Sequence, residues 1–343
     1  MLFFQNILQV GEQLQLHIAK ASKTFILTDS HVADSVLPNV LGALENPDAI
    51  DIIELEPGES AKNIEIAHQL WQHLAEAEAD RHALFINLGG GVITDLGGFV
   101  ASTYKRGIPF IHIPTSLMAM TDAAIGGKTG IDLEHIKNAV GTFALPIETY
   151  ICPAFLDTLP ENELLSGFAE MIKHGIIADE TLFQTLELID LDQLHTLSLF
   201  VERSAQIKEQ IVAEDPNEKG KRKLLNFGHT VGHAIESVTL NRQHHISHGH
   251  AVALGMLVEA QIAHDLNLLA SSDQSRISAL ITKFFTLDQA ITFEELLPYL
   301  KQDKKNIHGE IRMALPLNIG QANWDIHVAQ AQLQKSWNAL FNG

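Results

Sequence analysis

Apolar residues in the first half of the chain follow two alternating spacings. Short apolar runs predict mostly buried β-strands at residues 24–28, 50–55, 83–88 and 110–114. Between these runs, apolar residues recur at helical spacing over residues 30–44 and 61–77. Helices that alternate with buried strands predict an α/β domain with a parallel sheet covered on both faces.

Beyond about residue 153 the spacing becomes almost entirely helical. Helices are predicted at residues 161–175, 179–189, 192–214, 224–237, 250–268 and 292–300, with one short strand at 310–316. A chain of 343 residues exceeds the size at which single hydrophobic cores stop growing, which favours two domains. We therefore expect an α/β domain followed by a helical one, with the boundary within residues 153–160.

The composition is that of a globular protein, with 46% hydrophobic and 19% charged residues. A formal net charge of −19 argues against nonspecific binding to nucleic acid or to an anionic membrane. Cys152 is the only cysteine, so no intrachain disulfide can form, which is typical of a reducing cytoplasm. The sequence shows neither a signal peptide nor an apolar stretch long enough to cross a bilayer. These features favour a soluble cytoplasmic enzyme.

A histidine-rich segment is the strongest indication of chemistry. His229 and His233 lie one helical turn apart, so they share a helix face, and His248 and His250 follow after a short loop. Imidazole is the commonest protein ligand for zinc-like ions, and Glu170 is a candidate carboxylate ligand. A surface or hydrogen-bonded histidine pair stays an alternative.

A glycine-rich segment at residues 88–99 follows a predicted strand and opens a predicted helix. Glycines let the backbone approach a ligand, and a helix N-terminus offers N–H groups to a pyrophosphate. The pattern differs from the common dinucleotide fingerprint, so a plain strand-to-helix turn stays an alternative. Asp29 could contact an adenosine ribose or cap the helix that begins at Ser30. Glu59 and Lys62 could bracket a nucleotide or form a surface pair.

Residues 114–130 form a run of small residues that carries Asp122 and Lys128, and Lys137 and Asn138 follow soon after. Lysines among glycines and alanines indicate contacts with an anion rather than a solvated face.

Six motifs, in their order and spacing, resemble the 3-dehydroquinate synthase family of the sugar phosphate cyclase superfamily. They are Gly89-Gly-Gly-Val-Ile-Thr-Asp95, Asp122-Ala-Ala-Ile-Gly-Gly-Lys-Thr129, Lys137-Asn138, Phe168-Ala-Glu-Met-Ile-Lys173, Asn226-Phe-Gly-His-Thr-Val-Gly-His233 and His248-Gly249. The resemblance runs from about Asp29 to Leu315, nearly the whole chain.

The resemblance implies a Rossmann-like, NAD-binding α/β domain with a parallel sheet at residues 1–157. It implies an all-α metal- and substrate-binding domain at residues 158–343, with the active site between the two domains. The cofactors would be NAD and one divalent metal ion, Zn²⁺ or Co²⁺. The reaction would convert 3-deoxy-D-arabino-heptulosonate 7-phosphate (DAHP) to 3-dehydroquinate and phosphate, in the shikimate pathway of aromatic amino acid biosynthesis. A homodimer is expected.

The resemblance also assigns site residues. The metal ligands would be Glu170, His229 and His248. The NAD contacts would be Asp29, Glu59, Lys62, Gly90, Gly91, Val92, Asp95, Thr115, Ser116, Lys128, Lys137, Phe155 and Thr158. The substrate and catalytic contacts would be Asp122, Lys128, Asn138, Lys173, Lys208, Arg222, Asn226, His233, Lys304 and Lys305, with Arg106 reaching into the active site of the partner subunit.

The chain departs from the family pattern at His250, where most members have glutamate. Related cyclases that act on sedoheptulose 7-phosphate often carry His-Gly-His here, so that activity is one alternative. DAHP is favoured because Lys208, Asn226, His233 and the Lys304-Lys305 pair follow the family pattern and a substrate carboxylate needs cationic partners. An NAD- and metal-dependent polyol dehydrogenase, which consumes NAD, is a second alternative. His250 is a rival to His248 as the ligand, and His244 and His245 are nearby.

Overall fold

The computed structural model describes residues 1–134, 136–242, 246–287, 291–302 and 310–341. Contacts between residues divide the chain into two compact units, Met1–Pro160 and Glu161–Gly343. Each unit buries its own set of apolar side chains. The assignment of NAD to the first unit and of metal and substrate to the second stays a prediction.

The first unit is built on a parallel sheet. The strands described in this unit are β1 (Leu2–Phe3), β2 (Thr24–Asp29), β3 (Ile50–Leu55), β4 (Leu84–Gly89), β5 (Phe110–Pro114), β6 (Lys128–Leu133), β7 (Ile136–Phe143) and β8 (Glu148–Ile151). Among the described residues, six strands pair in parallel in the order β1-β8-β5-β4-β2-β3. The four predicted strands are therefore confirmed, and the α/β fold with them.

The helices of the first unit are α1 (Ile7–Ile18), α2 (Ser30–Ser35), α3 (Leu37–Gly42), α4 (Ile64–Glu76) and α5 (Gly91–Thr103). The single helix predicted over residues 30–44 is wrong, because α2 and α3 are separated at Val36. Pro38 explains the break. Proline lacks an N–H group and is tolerated only in the first turn of a helix, so a new helix, α3, begins at this point.

The strand order places a ligand-binding position at the carboxyl ends of β2 and β4. The chain leaves β2 for the outer strand β3 and returns to β4 on the other side of β2. Open α/β sheets bind ligands at such a switch point, outside the carboxyl ends of the strands. Asp29 ends β2 and Gly89 ends β4, so two of the predicted cofactor segments begin there.

The small-residue run after β5 is more regular than a loop. It contains a π-helical turn at Ala119–Ala123 and continues into an antiparallel hairpin formed by β6 and β7. Lys128 is the first residue of β6, and Asn138 lies in β7 with a left-handed backbone φ of 51°.

The second unit is mostly helical, as predicted. Its helices are α6 (Glu161–Ala178), α7 (Glu180–Leu186), α8 (Val201–Glu214), α9 (His229–Asn241), α10 (His248–Asp265), α11 (Ser271–Phe284), α12 (Phe293–Gln302) and α13 (Gln330–Phe341). Strand β9 (Arg312–Asn318) realises the predicted short strand and pairs with β10 (Gln321–His327), so a β-hairpin is added to the predicted helical domain. Within the described ranges, no helix has both the length and the apolar character needed to cross a bilayer.

Candidate functional site

Helices α9 and α10 cross with their backbones in close contact. A Cβ atom added at Gly255 of α10 would lie 1.9 Å from the carbonyl oxygen of Gly228, just before α9. Only glycine allows this approach. Because each helix begins with a histidine, the crossing brings His229 and His248 together, with 5.4 Å between their ring centroids.

Helix α6 adds a carboxylate to these two imidazoles. Gly249 packs on Ser166 so closely that a Cβ atom at Gly249 would lie 2.0 Å from the Ser166 carbonyl oxygen. Glu170 lies one turn beyond Ser166 and is 1% exposed. Its Oε1 is 3.6 Å from Nε2 of His229 and 3.9 Å from Nε2 of His248. We call Glu170, His229 and His248 the histidine centre.

Groups behind the two imidazoles orient them. Nδ1 of His229 lies 3.1 Å from the carbonyl oxygen of Phe227, which can only accept, so Nδ1 is the donor, and in the neutral ring Nε2 keeps the lone pair. Nδ1 of His248 lies 3.5 Å from Oε2 of Glu236. Carbonyl and carboxylate partners of this kind fix the tautomer and orientation of metal-binding histidines.

The spacing of the histidine centre fits a metal ion. In a tetrahedral zinc site each ligand atom lies about 2 Å from the ion, so neighbouring ligand atoms are roughly 3.4 Å apart. The distances of 3.6 and 3.9 Å are close to that value and too long for hydrogen bonds. One oxygen and two nitrogen donors also suit Zn²⁺ and Co²⁺.

The other histidines differ in their placement. Ring nitrogens of His229, His233 and His248 all lie within 4.8 Å of one another, and His233 is the exposed member. Nε2 of His250 instead lies 2.7 Å from the carbonyl oxygen of Thr286, and its ring packs on Phe285. This geometry favours His248 over His250 as the ligand. The predicted Lys304 and Lys305, and the nearby histidines His244 and His245, lie outside the described residues.

Among the described residues of the second unit, three cationic side chains are buried. Lys173 is 1% exposed and forms an ion pair with Glu170, Arg222 is 2% exposed, and Lys208 is also buried. Helices α6 and α8 and the 3₁₀ turn Lys221–Asn226, which carry these residues, pack against one another. Each of these packed elements therefore contributes one buried cation.

A turn organised by Asp215 places Arg222. The Asp215 carboxylate accepts hydrogen bonds from the N–H groups of Lys219 (3.0 Å), Gly220 (2.7 Å) and Arg222 (3.1 Å). Desolvation acts to raise the pKa of Asp215, but these donors outweigh it and hold the pKa below its usual value. Nη1 of Arg222 donates to the carbonyl oxygen of Pro216 at 2.7 Å, so the guanidinium is held in place.

The predicted substrate contact Asn226 belongs to the same segment. Its amide nitrogen donates to Oε1 of Glu218 at 2.7 Å, and Glu218 has a left-handed φ of 56°.

In the first unit, predicted cofactor and substrate residues form one hydrogen-bonded group. Lys62 is 4% exposed, and its Nζ donates to Oδ2 of Asp95 and to Oδ1 of Asn138, both at 2.6 Å. Asp132 accepts a hydrogen bond from the Asn138 N–H at 2.7 Å, and its own N–H donates to the Lys62 carbonyl oxygen at 2.8 Å. We call Lys62, Asp95, Asp132 and Asn138 the lysine centre.

Burial and charge act against each other in the lysine centre. Desolvation lowers the pKa of Lys62, but the carboxylates of Asp95 and Glu59 outweigh it, so the net pKa is raised and the ammonium stays charged. Desolvation raises the pKa of Asp132. Lys137, which precedes Asn138, forms a second ion pair, with its Nζ 3.8 Å from Oε2 of Glu59. This pair is more exposed than the pair of Lys62 and Asp95.

The glycine segment forms the predicted strand-to-helix turn. Gly90 is the N-cap of α5 and Gly91 and Val92 are its first residues. The Thr115 N–H donates to the carbonyl oxygen of Gly89 at 3.0 Å, and a Cβ atom at Gly90 would lie 3.4 Å from Oγ of Ser116. The predicted NAD contacts after β4 and after β5 are therefore adjacent.

The remaining predicted residues lie at a helix start and in short turns. Asp29 caps α2, since its Oδ1 accepts from the Val32 N–H at 3.1 Å; the capping role is confirmed and the ribose contact stays a prediction. Phe155 is buried and Thr158 exposed in the 3₁₀ turn Pro153–Thr158. Arg106 is exposed, with a left-handed φ of 67°. Asp122 lies in the π-helical turn.

Glu236 and Asp215 are functional candidates that the sequence reasoning missed. Glu236 lies seven residues after His229, two helical turns along the same face, and this spacing could have indicated it. Asp215 opens a polar loop, where aspartate commonly bonds to the backbone that follows.

Two family models match consecutive parts of the chain. The one described as 3-dehydroquinate synthase N-terminal matches residues 52–166, and the one described as 3-dehydroquinate synthase C-terminal matches residues 167–306. The 3-dehydroquinate synthase of Parabacteroides distasonis is 39% identical over 92% of this chain and 91% of its own length.

Solved structures of sugar phosphate cyclases are also similar. The 2-epi-5-epi-valiolone synthase from Streptomyces hygroscopicus subsp. jinggangensis, with NAD⁺ and Zn²⁺ bound, has a TM-score of 0.86 and 28% identity and covers 99% of this chain and 95% of its own. A 2-deoxy-scyllo-inosose synthase with carbaglucose-6-phosphate, NAD⁺ and Co²⁺ has a TM-score of 0.88 at 24% identity, with 99% and 96% covered, and supports the fold. The chain therefore belongs to the 3-dehydroquinate synthase family.

Proposed function

We propose that this chain converts DAHP to 3-dehydroquinate and inorganic phosphate. The observation that carries the proposal is the histidine centre, in which two imidazole nitrogens lie 3.6 and 3.9 Å from one buried carboxylate oxygen. Membership of the 3-dehydroquinate synthase family supports this reaction over others that use the same centre.

Glu170, His229 and His248 would hold one divalent metal ion. When bound, Zn²⁺ or Co²⁺ supplies a Lewis acid that polarises a substrate oxygen. The chain's own contribution is to fix the donors before the ion arrives. The Phe227 carbonyl and the Glu236 carboxylate hold the two rings. Lys173 forms an ion pair with Oε2 of Glu170, while Oε1 faces the histidines.

The residues that would hold NAD are those of the glycine turn and, from the lysine centre, Lys62 and Asp95, together with Glu59 and Lys137. When bound, NAD supplies a hydride acceptor that is restored within one turnover, so the net reaction is redox neutral. Gly90 and Gly91 leave the first turn of α5 open to a pyrophosphate. Lys62 and Asp95 are fixed by their mutual ion pair and so present defined polar atoms.

Buried cations favour a substrate with two anionic groups. DAHP carries a carboxylate and a phosphate, whereas sedoheptulose 7-phosphate lacks the carboxylate. Lys173, Lys208 and Arg222 would bind these groups, and Lys128 stays a predicted phosphate contact. Cations held in place away from water stabilise charge that develops on a leaving phosphate.

The direct test supplies DAHP, NAD and Zn²⁺ or Co²⁺ to the purified protein. Phosphate release is measured and the carbocyclic product is identified by NMR. We expect stoichiometric phosphate and 3-dehydroquinate without net NADH. Sedoheptulose 7-phosphate is assayed in parallel, and its faster cyclisation would contradict the proposed substrate.

A polyol dehydrogenase is the second function to exclude. Steady NADH formation with glycerol-like polyols, without phosphate release from DAHP, would identify that activity instead. The lyase predicts the opposite pattern, because its hydride carrier is recycled.

We also propose a cytoplasmic homodimer in which Arg106 serves the partner's active site. The exposed position of Arg106 supports a contact with a partner, and the single cysteine supports a reducing compartment. Light scattering measures the oligomeric state. Arg106→Ala and Glu170→Gln subunits, each inactive alone, should regain activity when co-expressed, because the mixed dimer keeps one complete site. Co-expression without recovery would contradict the shared site.

The net charge of −19 supports the absence of a nucleic-acid partner.

A further inference from the structure

A carboxylate from α10 caps the helix that begins with His229. Glu259 is fully buried, at 0% exposure. Its Oε2 accepts a hydrogen bond from the Gly228 N–H at 2.6 Å, and its Oε1 accepts one from the Val231 N–H at 3.1 Å. The two bonded N–H groups lie on either side of His229 in sequence, so Glu259 fixes the backbone that carries this imidazole.

This cap differs from those of other helices in the described parts of the chain. Helices α1, α4, α7 and α10 are capped by the side chain of the preceding residue, Asn6, Asn63, Asp179 and Ser247 respectively. The residue before α9 is Gly228, whose φ of 81° and contact with Met256 leave no room for a side chain. The first turn of α9 therefore receives its acceptor from another helix, and a carboxylate there also suits the positive end of the helix dipole.

The arrangement is reciprocal between the two helices. Glu236 of α9 faces His248, the first residue of α10, while Glu259 of α10 caps the start of α9, where His229 is the first residue. Each helix thus begins with a predicted ligand whose placement depends on a carboxylate of the other helix.

We propose that Glu259 is a positioning residue for His229. By fixing the Gly228 and Val231 N–H groups, it holds Nε2 of His229 at 3.6 Å from Oε1 of Glu170. The inference rests on the proposed metal site. A change at Glu259 shifts the imidazole rather than removing it, so the metal is bound more weakly and with altered geometry.

The test is Glu259→Gln, measured by Co²⁺ binding rather than by turnover. Glutamine keeps the size of the side chain but offers one acceptor oxygen to two N–H donors, so one bond is lost. Competition with a chromophoric chelator gives the Co²⁺ affinity, and the visible absorption of bound Co²⁺ reports the geometry of its ligands. We expect an affinity loss on the order of tenfold or more, the size typical of groups that orient metal ligands, together with a changed spectrum.

Asp179→Asn is the matched control. Asp179 caps α7 in the same unit, accepting from the Leu182 N–H at 3.0 Å, and α7 carries no predicted ligand. This variant should bind Co²⁺ with the wild-type affinity and spectrum, even where its melting temperature falls.

The outcomes separate positioning from mere stability. A Glu259→Gln protein with unchanged Co²⁺ affinity and spectrum overturns the proposal, whatever its melting temperature. If that variant does not fold, Glu259→Asp keeps the charge but shortens the reach; weaker Co²⁺ binding then supports the proposal and wild-type binding overturns it. Glu170→Gln tests the proposed metal site separately from the role of Glu259. Normal Co²⁺ binding in that variant would contradict the metal site itself.

Discussion

The histidine centre of the second unit and the lysine centre of the first unit differ in the spacing of their polar atoms. In the lysine centre, Lys62 bonds directly to Asp95 and Asn138, both at 2.6 Å. In the histidine centre, the imidazole nitrogens lie 3.6 and 3.9 Å from the carboxylate oxygen. The first spacing is that of hydrogen bonds and the second is that of atoms that share an ion.

This difference indicates how each centre would receive its ligand. A polar ligand that enters the lysine centre exchanges one set of hydrogen bonds for another, so the net gain from each contact is small. An ion that enters the histidine centre meets donors already placed by three packed helices. Substitutions in the histidine centre should therefore have larger effects than substitutions around the lysine centre.

The largest expected effect comes from Glu170→Gln, which breaks the histidine centre. Losing one ligand should cost about 4 kcal/mol in transition-state stabilisation, roughly a thousandfold in kcat/KM, with loss of bound metal. Metal content by mass spectrometry and phosphate release are measured together. Glu163→Gln, an exposed glutamate of the same helix α6, is the control and should retain both properties. Full metal occupancy with normal turnover would remove Glu170 from the site.

The second largest expected effect is on the pH dependence of stability, and it comes from His112 of the first unit, which is not a predicted ligand. His112 on β5 is buried beneath α5, where Nδ2 of Asn87 lies 3.1 Å from its Nδ1. Burial lowers the pKa of His112 from 6.5 to about 3. The neutral ring is therefore favoured in the folded state, and stability from this group is full above pH 6.5 and falls as the pH drops towards 3.

The loss should be about 1.4 kcal/mol per pH unit below the unfolded pKa, or about 2 kcal/mol near pH 5. Urea unfolding at neutral pH and near pH 5 measures it. His112→Gln keeps an acceptor for Asn87 but cannot titrate, so its stability should depend less on pH by that amount. Equal pH dependence in the two proteins would show that His112 is protonated without cost. The result sharpens the comparison, because it separates a structural histidine from those of the histidine centre.

Lys128→Ala tests a predicted anion contact of the first unit. Lys128 is exposed at the start of β6, so folding should not depend on its charge. We expect a loss of at least ~1.4 kcal/mol of transition-state binding, about tenfold in kcat/KM for DAHP. Lys20→Ala, an exposed lysine outside every predicted site, should leave kcat/KM unchanged. The same result for Lys128→Ala would make this lysine a surface charge.

The two centres also differ in how far the sequence alone could predict them. The positions of Glu170 and Lys173, and of His229 and His233, follow from spacing within one helix, because helical periodicity is local. The strands β2 to β5 were predictable for the same reason, as short buried runs between helices.

Contacts between distant segments were not predictable in this way. Lys62 and Asn138 are 76 residues apart and meet only because the β6–β7 hairpin forms. That hairpin escaped prediction because most of β7 is exposed on both faces, so it lacks the alternation of a half-buried strand. Glu259 caps α9 through a helix crossing that depends on Gly255, and no spacing along either helix encodes that crossing.

The smallest expected effect is on NAD binding, and it comes from Lys137, the more exposed of two lysines predicted to contact NAD. Nζ of Lys137 lies 3.8 Å from Oε2 of Glu59, and both side chains are partly exposed, at 35% and 45%. Exposed pairs of this kind contribute less than about 1 kcal/mol, and salt screens them. Lys137→Ala should therefore weaken NAD binding only about threefold, or ~0.6 kcal/mol, and the difference should shrink at high salt.

Lys62→Ala should weaken NAD binding more than this and with little dependence on salt, because Lys62 is buried and bonded to Asp95. Calorimetric titration of NAD at low and high salt measures both variants, with Lys20→Ala as the control. Equal losses in the two variants would contradict the distinction. They would mean that burial and direct hydrogen bonds do not set the contribution of a lysine here, and the lysine centre would then have no special role in holding NAD.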